Sequence, residues 1–215
     1  MRLLSKYELF IFDWDHTLTT STIFVTLLDL FGARGKHRSM EMLRGKRYSD
    51  FPARNIRMKE DVSRIYSMFD DAYGVIFRPR LKRGAIPLLS LLKRNGRKVA
   101  VFSDSRSYRL LKETEQLGAL RYVDTALAAE AVGRYKPNPT GLLVLLDRFK
   151  AKKERSVYIG DMASDIMTAK LAGMHSCAVA DGIDSFDALK NERPDHLFSS
   201  LESFLQALQE ERKSP

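Results

Sequence analysis

The chain has 215 residues, 44% of them hydrophobic, enough to bury one full core or a core with a small second lobe. Its single cysteine, Cys177, excludes an internal disulfide, and no segment approaches the ~18 uninterrupted apolar residues of a membrane span. The net charge of +9 admits three kinds of partner: nucleic acid, an anionic surface or a phosphorylated substrate.

In chain order, Lys6 and Glu8 break the first apolar run, so neither a signal peptide nor a membrane anchor is expected there. Together with the lone cysteine this predicts a cytoplasmic protein. Leu9-Phe10-Ile11-Phe12 reads as a short buried strand. Ile23, Phe24, Leu27, Leu28 and Phe31 follow at helical spacing, closed by Gly32. A second helix is expected from about Phe51, with Met58, Val62, Ile65, Tyr66, Phe69 and Tyr73 on one face. Between these helices, residues 34 to 59 hold nine Lys or Arg against two acids, an electropositive stretch broken by Gly35 and Gly45. Residues 19–79 therefore read as all-helical.

From Lys82 the pattern changes to alternating strands and helices. A helix carries Ile86, Leu88, Leu89, Leu91 and Leu92 and stops at Gly96; Val99-Ala100-Val101-Phe102 is a strand. A helix bearing Tyr108, Leu111 and Leu117 ends at Gly118, and a weaker strand surrounds Thr125-Ala126-Leu127. Asn138 is expected to cap a helix that has Pro139 in first position and buries Leu142, Leu143, Leu145, Leu146 and Phe149. Val157-Tyr158-Ile159 is a strand, a helix runs from about Ser164 to Gly173, Ser176 to Ala180 is a strand, and Leu197-Phe198 is one more. Glu210 to Pro215 reads as a frayed tail. Continuously apolar strands alternating with helices predict an α/β fold with a doubly wound parallel sheet, covered on both faces.

In such sheets, ligands bind beyond the carboxyl ends of the strands, and four polar segments fall there: Asp13-Trp14-Asp15-His16-Thr17, Ser103, Lys136-Pro137 and Gly160-Asp161-Met162-Ala163-Ser164-Asp165. Any one alone is ordinary: Asp-x-Asp-x-Thr serves as a turn or cap, Asp161 and Asp165 as helix caps, Ser103 and Lys136 as solvated surface. Trp14 and His16 suit packing beside the strand end. Clustered on one rim, they fit phosphoryl transfer. A phosphate monoester repels nucleophiles, so a catalyst must neutralise charge, place a nucleophile and protonate the leaving oxygen. Asp13 and Asp161 can offer carboxylates to one hard cation such as Mg²⁺, and Asp165 can hold its waters or orient ligands. Asp13 is also the nucleophile candidate, and Asp15 the acid/base candidate if the chain curls out of extended form. Thr17 fits a local hydrogen bond, Ser103 a hydroxyl to a phosphoryl oxygen, and Lys136 a compact positive charge.

With these motifs in this order, the sequence resembles the haloacid dehalogenase-like (HAD) superfamily of phosphohydrolases, and within it the phosphoglycolate phosphatase-type branch. The resemblance implies a catalytic core of residues 1–18 and 80–215 and a helical cap of residues 19–79 that closes over the substrate. It implies Asp13 as nucleophile, and Asp15 as general acid/base that also gives its backbone carbonyl to Mg²⁺. It further implies Asp161 as the remaining protein ligand, with Asp165 nearby or acting through water. Arg54 is one of several basic cap residues that can reach a substrate. The branch contains monomers and homodimers. Two residues depart from its pattern: His16 stands where glycine is commonest, and Asp104 where Asn or Gly is common, adding a negative charge beside the phosphate unless it turns away toward Arg106. The expected activity is release of phosphate from a small phosphorylated metabolite. The rival readings are a phosphoryl mutase on sugar phosphates and a nucleic-acid-binding or interaction protein, the latter supported by charge alone.

Overall fold

The computed structural model describes residues 3–20, 76 and 78–213. Six parallel strands form the main sheet: β1 (Leu9–Phe12), β4 (Lys98–Ser103), β5 (Thr125–Ala128), β6 (Ser156–Gly160), β7 (His175–Val179) and β8 (His196–Phe198). Their spatial order is β5-β4-β1-β6-β7-β8. The chain builds outward from β1 through β4 to β5, then returns to the other side of β1 for β6. This reversal opens a crevice between the carboxyl ends of β1 and β6, where open α/β sheets place their ligands. The predicted α/β parallel sheet is the observed one.

Helices cover both faces, and the alternation of side chains along β1 shows why. Phe10 and Phe12 point into one core with Val99, Val101, Val157 and Ile159, closed by α1 (Leu3–Lys6), α2 (Ala85–Arg94) and α8 (Leu201–Lys213). Leu9 and Ile11 point into the other with Ala100, Phe102 and Tyr158, closed by α5 (Thr140–Phe149) and α6 (Ala163–Leu171). A strand buried on both faces has no polar side, which is why all four residues of β1 are apolar. Each such side chain contributes about 1.5–3 kcal/mol by leaving water.

Several expectations need correction. Tyr108 and Leu111 lie on the exposed side of α3 (Ser107–Gln116), which instead buries Arg109, Leu110, Glu113 and Thr114. The polar side turns inward because Arg109 and Glu113 find charged and polar partners beside β1. Leu143 is exposed, since α5 presents Leu142, Leu145 and Leu146 to the sheet. Helix α5 begins at Thr140, with Pro139 at the cap position; Asn138 still caps it from one residue earlier, its Oδ1 accepting from Thr140 N at 3.0 Å. The expected frayed tail is helical to Lys213, and the Glu211 carboxylate accepts from the backbone N–H groups of Leu4 and Ser5 at 3.0 and 3.2 Å. Helices α1, α4 (Ala129–Val132), α7 (Phe186–Asn191) and α8 were not anticipated.

Most of the segment expected to be an all-helical cap lies outside the described residues, with its basic stretch and Arg54. Its first two residues are extended rather than helical: Thr19–Thr20 (β2) pair antiparallel with Arg80–Leu81 (β3), Thr19 opposite Leu81 and Thr20 opposite Arg80. No helix among the described residues is long and apolar enough to cross a membrane.

Candidate active site

The register of the central strands brings the site together. Phe12 lies opposite Val101 on one side and Ile159 on the other, so β1 and β6 end level, and the Asp13 N–H donates to Ile159 O at 2.8 Å. Asp13 and Asp161 therefore leave neighbouring strands together. Asp165 joins them from the first turn of α6, and one carboxylate oxygen from each of the three lies within 4.8 Å of the others; all three residues are buried. The Lys136 ammonium bridges two of them, donating to Asp13 Oδ1 at 2.8 Å and Asp165 Oδ1 at 2.9 Å. Thr17 donates to Asp161 Oδ1 at 2.6 Å and stands 3.3 Å from Asp13 Oδ2. Thus three distant parts of the sequence converge on one cluster.

Backbone donors and two glycines finish it. Asp161 Oδ2 accepts from Ile183 N at 2.7 Å, and Asp165 Oδ2 from Met162 N at 3.0 Å. A Cβ on Gly182 would collide with the Asp161 carboxylate, and one on Gly160 with that of Asp165. Only glycine lets the backbone come this close. The Tyr158 hydroxyl donates to Asp165 Oδ1 at 3.3 Å, and the Asp184 carboxylate takes the N–H of Ala163 at the start of α6.

The cluster is short of positive charge. Burial pushes the Asp13 carboxyl well above its ordinary value; Lys136 opposes this, while Asp165 and Asp161 add to it. Burial and the Asp165 charge push Asp161 up to about 7. Burial works to lower the Lys136 ammonium, yet Asp13 and Asp165 hold it well above the usual range, so it stays charged. Three buried carboxylates sharing one ammonium, with all-oxygen donors, fit a hard divalent cation by chemistry and by charge.

Asp15 stands apart from this cluster. Its carboxylate takes a two-pronged ion pair from Arg109, with Oδ1 3.0 Å from Nη1 and Oδ2 2.6 Å from Nη2. Ser105 Oγ donates to Oδ2 at 2.5 Å, and Ser103 Oγ lies at 3.4 Å. Burial alone would push this carboxyl up, but Arg109 and these hydrogen bonds hold it below its ordinary value. The Asp15 side chain is therefore an ionised group at the rim, about a quarter exposed, not a fourth carboxylate of the cluster.

The turn after Asp13 bends through His16, which sits at φ 59°, in the left-handed region. That conformation explains the glycine preference at this place, and His is among the side chains that tolerate it better. His16 is buried, and burial lowers its imidazole to about 4, so it is neutral at pH 7. Asp104 Oδ1 accepts from Lys136 N at 3.0 Å, and Arg106 pairs with Glu130. Sequence reasoning missed Arg109, Ser105, Glu113, Tyr158, Gly182 and Asp184. Arg109 and Glu113, four apart on a helix beside the Ser103 motif, carried a signal, since charged residues at that spacing pair.

The profile of the haloacid dehalogenase-like hydrolase family matches residues 10–179. The chain belongs to that family. Phosphoglycolate phosphatase from Escherichia coli K12 is 24% identical over 156 residues, which are 72% of this chain and 62% of that protein. Pyrophosphatase PpaX from Halalkalibacterium halodurans is 25% identical over 203 residues, 91% of this chain and 94% of that one. The chain spans about three fifths of the length of the first curated relatives it matches, 59% and 62%. A haloacid dehalogenase-like family hydrolase from Streptococcus pneumoniae superposes with a TM-score of 0.65 at 18% identity, covering 95% of this chain and 100% of that one. At that identity the likeness concerns the fold.

Proposed function

We propose that this HAD-family chain is a Mg²⁺-dependent phosphatase that hydrolyses a small phosphorylated metabolite through an aspartyl-phosphate on Asp13. The observation that carries the reading is the convergence of Asp13, Lys136, Asp161 and Asp165 in the crevice between β1 and β6. Asp13, Asp161 and Asp165 would hold the ion, whose charge screens the phosphoryl oxygens and the carboxylates from one another.

The residues then divide the work. A carboxylate oxygen of Asp13 attacks phosphorus, and the bond from phosphorus to the leaving oxygen breaks. Lys136 favours the ionised form of Asp13 against burial, and Thr17 fixes its orientation. Ser103 donates its hydroxyl to a phosphoryl oxygen. Asp15, an anion on Arg109 as it stands, first takes a proton from solvent and then gives it to the leaving oxygen. In the second half Asp15, now an anion as on Arg109, takes a proton from the water that attacks phosphorus, and Asp13 leaves as carboxylate. Residues 19–79 would be the cap over a core of residues 1–18 and 80–215, and the β2–β3 pairing supports that seam. Arg54 and its basic neighbours are the candidates to choose the substrate. The reading takes the protein as cytoplasmic, monomer or homodimer.

The test is phosphate release from a panel headed by phosphoglycolate and pyrophosphate, the compounds named by the relatives, with Mg²⁺ or with chelator. Release that needs both Mg²⁺ and Asp13 is the expected result. Interconversion of sugar phosphates primed by a bisphosphate, without net release, would replace it with a mutase.

A further inference from the structure

A ring of polar contacts starts and ends on neighbouring residues of the first motif. The Trp14 indole, fully buried, donates from Nε1 to Glu113 Oε2 at 2.7 Å. Both Glu113 carboxylate oxygens accept from Arg109 Nη1, at 3.0 and 3.1 Å. Arg109 in turn forks onto the two oxygens of Asp15, and its Nη2 also donates to Ser105 Oγ. Burial separates the roles: the Arg109 side chain is 6% exposed, whereas that of Asp15 is 24% exposed. The guanidinium lies beneath and the carboxylate faces the crevice.

Two facts make this more than a structural ion pair. A planar fork fixes both the position and the plane of a carboxylate, which a lysine or a single hydroxyl does not. Moreover, the anchored carboxylate stands 3.4 Å from Ser103 Oγ, the hydroxyl assigned to a phosphoryl oxygen. The group that must exchange a proton at the leaving oxygen is thus set beside the phosphoryl site by a guanidinium that lies beneath it.

We infer that Arg109 is a positioning residue for Asp15, held in turn by Glu113 and Trp14, and that it sets how well Asp15 transfers its proton. The inference rests on the phosphatase reading above. Its signature is dependence on the leaving group, because proton donation matters for an alkoxide and little for a nitrophenolate.

The experiment compares kcat on an alkyl phosphate and on p-nitrophenyl phosphate for wild type, Arg109→Lys and Trp14→Phe, each alone and with Asp15→Asn. Arg109→Lys is expected to lower kcat on the alkyl ester by about 10- to 100-fold, within the range that proton transfer supplies. The nitrophenyl ester should lose less than about threefold, KM should move little, and the loss should vanish once Asp15 is Asn, since both changes remove one effect. Trp14→Phe, which keeps an aromatic ring in the core, should show the same pattern more weakly and serves if Arg109→Lys does not fold. Equal losses on both esters, or a loss undiminished in the Asp15→Asn background, would mean a structural role only and overturn the inference. Arg109→Lys and Trp14→Phe matching wild type would overturn it too, leaving the phosphatase reading intact. A wild type that hydrolyses neither ester would overturn both.

Discussion

The two ends of the sheet treat charge in opposite ways. At the amino ends, Asp195 accepts from Ser176 N and Oγ at 2.8 and 3.0 Å and pairs with His175 at 3.1 Å, while Tyr7 and His196 share a 2.7 Å hydrogen bond. Burial there tends to raise the Asp195 carboxyl, but the Ser176 amide and the His175 contact bring it below its ordinary value. At the carboxyl ends, three carboxylates crowd one ammonium and two are pushed up. The first cluster is complete as it stands. The second is complete only with another cation. Uncompensated buried charge is costly enough that a fold shaped by stability alone would not keep it.

Breaking the second cluster should have the largest effects. Asp13→Asn should reduce phosphate release by at least about 1,000-fold, as loss of a nucleophile does, with no fall in melting temperature. Lys136→Met removes the ammonium shared by Asp13 and Asp165 and should cost about 3–5 kcal/mol in urea unfolding without divalent ions. Mg²⁺ at a hundred times its dissociation constant should add about 2.7 kcal/mol to wild-type stability. Asp161→Asn should lose most of that gain while being more stable than wild type in chelator.

The acidity of Asp161 sharpens the comparison. Its folded value of about 7 is above its ordinary value of 3.8, so between them the native state holds a proton the unfolded chain has lost. That contribution is present at low pH and disappears as pH rises toward 7. In chelator, the Asp161 contribution should therefore make unfolding easier across this window, measurable as a slope that Asp161→Asn removes. The smallest effect belongs to the other end of the sheet. Asp195→Asn should cost about 1 kcal/mol through weaker bonds to Ser176 and leave turnover unchanged.

The sheet and the motif positions were legible because they rest on local signals: apolar runs for strands, glycines for helix ends, and polar residues just beyond them. Leu9 to Phe12 could be read as a two-sided buried strand from four residues. What escaped was decided by contacts distant in sequence. Arg109 and Glu113 look like an exposed ion pair until Trp14 and Asp15 are placed beside them, and their burial is what turned Tyr108 and Leu111 outward. Gly182 looks like a turn residue until the Asp161 carboxylate is seen against it. The Glu211 carboxylate reads as tail charge because its partners, Leu4 N and Ser5 N, lie at the other end of the chain.

The short ribbon of Thr19–Thr20 and Arg80–Leu81 also makes the molecule separable. Thr20 and Arg80, far apart in sequence, stand directly opposite one another. Whatever lies between two paired residues can be exchanged without stretching either side, since a tight turn or a long insertion closes the same gap at similar entropic cost. The seam is a natural point for grafting: a two-residue turn there would give a minimal core that retains Asp13, Lys136, Asp161 and Asp165, and inserts from related chains could be tried on it as interchangeable selectors.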